Sequence, residues 1–173
     1  MLTLTARSAL DIESDAIVFS TNEQLLLTGG VGAALLQRFG SSFQDDLSAC
    51  GYGREALESG DVFHFSCPET PWRHHFAVVA VDLSYHVERS TIDAILREVF
   101  AACSITHDIR HVVTSALGTG YGDLSLAAFL DALLASVSPD DPFVVTLALN
   151  SHDSLSASVA HLARVATDAF VVS

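Results

Sequence analysis

The chain has 173 residues, of which 50% are hydrophobic and 17% are charged, and its mean hydropathy is +0.40. This composition excludes a disordered chain, and the length predicts a single domain over residues 1–173. The formal charge is −13, with eight arginines and no lysine, which argues against duplex nucleic acid or an anionic membrane as a partner and excludes lysine-dependent chemistry such as Schiff-base catalysis.

Short apolar segments predict the strands. Polar and apolar residues alternate over 2–5 and 61–66, which is typical of strands nearer a sheet edge. Continuous apolar runs at 16–19, 76–81, 111–116 and 143–149 predict strands covered on both faces, and a further short strand is predicted at 170–172. The longest apolar runs cover six residues, whereas a membrane-spanning helix needs about twenty.

Helical spacing of apolar residues separates these strands. The predicted helices run from Val31 to a stop at Gly40, from Ile92 to Cys103 behind a capping box of Ser90 and Asp93, from Leu126 to Val137, and from Leu155 to Ala166. Residues 51–60 and 66–75 are predicted loops. Strands that alternate with helices indicate an α/β/α sandwich of three layers, with a mixed, largely parallel central sheet of about six strands.

Two glycine clusters follow predicted strands and precede helices. The first contains Gly29, Gly30 and Gly32, and the second contains Gly118, Gly120 and Gly122. Glycine lets backbone N–H groups approach a phosphate closely, so two such loops at the carboxyl ends of neighbouring strands are suited to a diphosphate. The alternative is that these glycines only turn the chain. Neither cluster fits the Rossmann fingerprint, so a Rossmann dinucleotide site is not favoured.

In this order, the motifs resemble those of the macro domain, the ADP-ribose-binding module. The matching stretches are Asp11-Ile12, a strand that leads to Asn22, a Gly-Gly-Val loop, and an Ala-Leu-Gly-Thr-Gly loop after a buried strand. The resemblance implies that Asp11 accepts from the adenine amino group, that the Ile12 N–H contacts the ring, and that Asn22 contacts the distal ribose. It implies two ligand-binding loops, formed by Gly29, Gly30, Val31 and Gly32 and by Gly118, Thr119, Gly120 and Tyr121.

Departures from the family pattern bear on catalysis. Family members that hydrolyse ADP-ribosyl esters have an Asp at the position of Gly32, and a second hydrolytic branch uses a lysine that this chain lacks. The expected function is therefore binding of ADP-ribose or a derivative, such as O-acetyl-ADP-ribose or an ADP-ribosylated protein, with weak or no hydrolase activity. Whether the protein is an enzyme stays open, with Asn22 and Asp123 as candidate catalytic residues.

Several alternatives remain beside this reading. Asp123 has a structural explanation as the N-cap of the following helix, and the aromatic residue that often packs beside adenine would fall near Asn150, which cannot stack. A macro-like scaffold with a degenerate pocket, or a site for another phosphorylated metabolite, would also explain the sequence.

No cofactor and no metal are expected. Four residues of zinc-ligand type fall close together in the sequence, although a predicted strand end separates the first two, so that their side chains need not converge: His64, Cys67, His74 and His75. The three cysteines, Cys50, Cys67 and Cys103, have irregular spacing and no signal peptide precedes them, which predicts reduced thiols in a cytoplasmic protein.

Overall fold

A mixed sheet lies at the centre of the fold. The computed structural model describes residues 1–82, 84–165 and 170–172, and within these residues the sheet has seven strands in the order β3-β4-β2-β5-β6-β1-β7. The strands are β1 Leu2–Thr5, β2 Ala16–Thr21, β3 Val62–Phe65, β4 His74–Val79, β5 His111–Ser115, β6 Val144–Ala148 and β7 Phe170–Val172. Neighbouring strands are parallel, except that β3 pairs with β4 in the antiparallel direction.

Helices cover both faces of this sheet. They are α1 Gly30–Ala49, α2 Arg89–Ile105, α3 Leu126–Ser136 and α4 His152–Val165, and a short 3-10 turn spans Ala9–Asp11. On β2, Ile17 and Phe19 join a core cluster with α1, whereas Ala16 and Val18 join a second cluster with α2, α3 and α4. Alternate side chains of a strand therefore pack into two cores, one on each face of the sheet, which is the three-layer α/β/α arrangement expected from the sequence.

The structure confirms the fold class and corrects some details of the prediction. The sheet, predicted with about six strands, has seven in the described part of the chain, and β1, predicted to lie nearer an edge, is next to the edge strand β7. The first helical segment stops at Gly40 as predicted, because the backbone there has φ +78° and ψ −166°, and a second helical segment follows within α1 and buries Phe43 and Leu47. The predicted end of the last helix, Ala166, lies outside the described residues.

Two predicted helix caps are also wrong. Glu88 is the N-cap of α2, so Ser90 already lies inside the helix. The N-cap of α3 is Ser125, whose side chain accepts a hydrogen bond from the Ala128 N–H, and Asp123 has a different role described below. The predicted loop at 66–75 is shorter, because His74 and His75 begin β4. In the part of the chain that the structure describes, no helix is long and apolar enough to cross a membrane.

Candidate functional site

A cleft of about 580 Å³ lies at the carboxyl ends of β4, β2, β5 and β6. Residues that follow each of these strands line it, including Tyr85 after β4, Asn22 after β2, Gly118 after β5 and Asn150 after β6. The volume is in the range of small-molecule sites, and this edge is where open α/β sheets bind their ligands. With strands about 4.8 Å apart, the three gaps from β4 to β6 make the cleft about 14 Å long.

The first glycine loop directs the start of α1 towards this cleft. Thr28, Gly29, Gly30 and Val31 all line it, and the N-cap residue Gly29 has no side chain to satisfy the N–H groups of the first turn. Gly30 has φ +52°, a backbone conformation that favours glycine. Unpaired N–H groups and the positive end of the helix dipole make such a terminus suited to an anion.

The second glycine loop faces the first across the cleft. Gly118 has φ +73°, and Thr119 holds the turn by donating its hydroxyl to the Ala116 carbonyl at 2.8 Å. The Tyr121 ring lies directly on Gly29, since a Cβ built at Gly29 would be 1.9 Å from Tyr121 Cε2. The absence of a side chain at Gly29 therefore lets the two loops close on each other.

Asn22 lies in the cleft wall and organises the chain that leads to the first loop. Its Oδ1 accepts hydrogen bonds from the N–H groups of Gln24 and Leu26, both at 3.0 Å. Those bonds fix the turn after β2, so Asn22 has a structural role in addition to its place in the cleft wall. The side chain also borders the cleft, where the sequence predicted it.

Three predicted ligand residues lie away from the cleft lining. The Asp11 carboxylate pairs with Arg38 at 3.2 Å, Ile12 is buried, and Gly32 lies inside α1, where its Cβ position is 3.4 Å from Leu27. The structure thus brings together Asn22, Gly29, Gly30, Val31, Gly118, Thr119, Gly120 and Tyr121, and leaves Asp11, Ile12 and Gly32 outside that group.

Asp123 fastens the second glycine loop to the connection between β4 and α2. Its Oδ2 lies 2.8 Å from His86 Nδ1, and its Oδ1 accepts the Val87 N–H at 2.9 Å. The hydrogen bond to Asp123 raises the pKa of His86, and the same bond lowers the pKa of Asp123. Asp123 is therefore committed to these contacts instead of capping α3.

The side chains of zinc-ligand type separate into two groups. His64 Nε2 lies 3.0 Å from His74 Nδ1, and His74 Nε2 lies 3.1 Å from Asp108, on the surface near the start of β4. His75 is buried and bonds to Thr70 at 2.7 Å. Among the described residues, no group of three or more His, Cys, Asp or Glu side chains is arranged to hold a metal ion.

The cysteines are poor nucleophiles in this environment. Burial raises the pKa of the Cys103 thiol to about 12, and burial also raises the pKa values of Cys50 and Cys67. The thiolate is the reactive form, so all three side chains stay protonated near neutral pH.

Sequence reasoning missed several residues of the cleft. Tyr85, Leu149 and Ser154 line it, yet they belong to none of the glycine motifs, and Asn150, named from the sequence only as a residue that cannot stack on adenine, lines it as well. Their common feature is that they follow the carboxyl end of a strand, and this position in the sheet could have been inferred for residues after β4 and β6.

Comparison with known proteins agrees with this α/β fold. A family model described as Macro domain matches residues 18–132, well over half of the chain, and the chain belongs to the macro domain family. No curated protein matches the sequence.

Solved macrodomains share the fold at low sequence identity. A mutant Oceanobacillus iheyensis macrodomain with ADPR superposes with a TM-score of 0.83 at 15% identity, covering 95% of this chain and 93% of that one. The Trypanosoma brucei macrodomain in complex with ADP-ribose has a TM-score of 0.77 at 15% identity, with coverages of 91% and 67%. The macrodomain of Mycobacterium tuberculosis DarG gives 0.74 at 16% identity, with coverages of 87% and 99%.

Proposed function

We propose that this protein binds ADP-ribose or a derivative of it in the cleft between its two glycine loops. The observation that carries the proposal is the meeting of both loops, and of the N-terminus of α1, at one cleft of a macro domain. Solved macrodomains that share the fold hold ADP-ribose or ADP, which supports a nucleotide of this type as the ligand.

Backbone groups supply the attraction for the diphosphate. No charged side chain is among the described residues that line the cleft, although the whole chain carries a formal charge of −13. The N–H groups at Gly29, Gly30 and Val31 and those of the second loop would hold the phosphates without a basic patch. An uncharged lining also keeps the carboxylates of the surface away from the bound anion.

We infer that hydrolysis is weak or absent. Gly32 is packed inside α1 against Leu27, so the position that carries an Asp in ester-hydrolysing relatives neither holds a carboxylate nor lines the cleft. The chain has no lysine, and Asp123 is engaged by His86 and Val87. We also propose that residues 1–173 act as one domain, whose partner is free ADP-ribose or ADP-ribose carried by a protein.

Calorimetric titration tests the binding proposal. ADP-ribose should bind, and AMP and ribose 5-phosphate, which each contain part of it, should bind at least about tenfold more weakly. Gly30→Glu should abolish the heat of binding, because it places a carboxylate among the phosphate-binding N–H groups.

The matched control is Gly53→Glu. Gly53 also has a positive φ of +85° and open space around its Cβ position, and it is not among the residues that line the cleft. Both variants therefore place the same side chain in open space on a backbone with positive φ, and only the first should lose ADP-ribose. Full affinity in Gly30→Glu would contradict the proposal. No heat with any of the three ligands would favour a scaffold domain instead.

A further inference from the structure

Two exposed tyrosines stand together at the rim of the cleft. The Tyr85 and Tyr121 ring centroids are 6.1 Å apart with an interplanar angle of 47°, and the residues are 54% and 71% exposed. Both line the cleft, although they come from different connections, one after β4 and one after β5. We call this pair the tyrosine lip.

The backbone at Tyr85 is held in a conformation that a bulky residue rarely adopts. Its φ is +61°, and among the described non-glycine residues positive φ occurs only at Leu25, Tyr85 and Asn150, of which the last two line the cleft. Such a conformation is strained and persists only where neighbouring contacts enforce it. Backbone strain of this kind clusters at binding sites.

Polar contacts on both sides enforce the turn. The Asp82 side chain accepts the N–H groups of Ser84 at 2.8 Å and of His86 at 2.9 Å, and the Tyr85 N–H bonds to the Asp82 carbonyl at 3.0 Å. Next along the chain, His86 pairs with Asp123 of the second loop. The turn that presents Tyr85 is therefore fixed to the loop that presents Tyr121.

The order of the strands places the lip at one end of the cleft. The glycine loops follow the two middle strands, β2 and β5, whereas Tyr85 follows β4 and Asn150 and Ser154 follow β6. A diphosphate held by the glycine loops would extend one attached group towards β6 and the other towards β4. Asn22, the residue expected at the distal ribose, follows β2, which pairs with β4, whereas the position expected beside adenine is near Asn150, after β6. The distal ribose therefore belongs at the end that carries the lip.

We propose that Tyr85 is a specificity-determining residue, which packs with Tyr121 on the distal ribose and makes the site prefer ADP-ribose to ADP. The inference rests on the proposed function and adds a contact outside the glycine motifs. Tyrosine suits this role, since its ring offers a rigid apolar face to the sugar at low entropic cost and its hydroxyl stays in water.

Titration of ADP-ribose and ADP into Tyr85→Asn tests the inference. Asn tolerates a positive φ, so this variant removes the ring while keeping the backbone turn. Affinity for ADP-ribose should fall about three- to tenfold, the range expected for loss of one aromatic contact, and affinity for ADP should stay within about twofold. Tyr85→Phe should restore the preference, because it keeps the ring.

Tyr52→Asn is the control for loss of a surface tyrosine. Tyr52 is 82% exposed and lies outside the cleft lining, so both affinities should be unchanged in that variant. Equal losses of ADP-ribose and ADP affinity in Tyr85→Asn, or no loss of either, would overturn the inference. Failure of the proposed function is distinguishable, since it would appear as absence of binding in the wild type itself.

Discussion

The packing of Gly122 gives a sharp test of how the second glycine loop is built. A Cβ at this position would lie 2.3 Å from the Gly118 carbonyl oxygen and 2.6 Å from Val87 Cγ2. The first of these atoms belongs to the backbone and cannot rotate away. Gly122→Ala therefore requires the loop itself to move, by about 1 Å if the new methyl group is to reach ordinary contact distances.

The expected cost of that movement is substantial. Overpacking by one methyl group in a closely packed region typically costs about 1–3 kcal/mol. For a chain of this size, each kcal/mol lowers the melting temperature by about 2–4 °C, so Gly122→Ala should melt about 2–12 °C below the wild type. Asp123, next to Gly122, accepts a hydrogen bond from the Val87 N–H and pairs with His86 Nδ1, and these contacts limit how far the loop can relax.

Gly120→Ala supplies the matched control in the same loop. Nothing lies within 4 Å of the Cβ position of Gly120, so its substitution should change the melting temperature little. Thermal unfolding of the three proteins, followed by circular dichroism, makes the comparison. Equal melting temperatures for Gly122→Ala and Gly120→Ala would refute the close packing of Gly122 against Gly118 and Val87.

Two further predictions concern pH. Burial lowers the pKa of His75 from 6.5 to about 4, so below pH 6.5 the unfolded chain binds a proton that the folded chain does not. The free energy of unfolding should therefore be highest above pH 6.5 and decrease by up to about 3 kcal/mol as the pH falls to 4. Urea unfolding of wild type and His75→Gln checks this, and equal acid sensitivity of the two would contradict it. The His86–Asp123 pair should be strongest between the ordinary pKa values of 3.8 and 6.5, and weaken as the pH rises through the raised pKa of His86 or falls through the lowered pKa of Asp123. The melting-temperature gap between wild type and His86→Gln should therefore be largest inside that window, and a gap independent of pH would argue against the ion pair.

Local patterns were sufficient to predict most of the elements. The apolar runs around Val18, Val78 and Val113 correspond to central strands, because only a strand covered on both faces buries consecutive apolar residues. The spacing from Ile92 to Cys103 matches the buried face of α2. The first helical segment ends at Gly40 as predicted, and the prediction missed the second segment that follows, in which Phe43 and Leu47 are buried.

Several contacts of the site depend on residues far apart in the sequence. Asp123 follows a glycine and precedes a helix, so capping was the natural local interpretation, yet its partners are His86 and Val87 on another connection. Asp11 pairs with Arg38, which lies in α1. No local pattern reports contacts of this kind, since they exist only after the strands have assembled.

By itself, the sequence determined the α/β class and the two glycine loops, since hydrophobic periodicity and glycine placement act over a few residues. Only the tertiary structure decided which strands are neighbours. The order β4-β2-β5-β6 places both loops at the centre of one cleft and brings the connection after β4 beside them. Pairing between strands that are distant in the chain brings their carboxyl ends to a common edge, and this is why Tyr85 lies beside Tyr121.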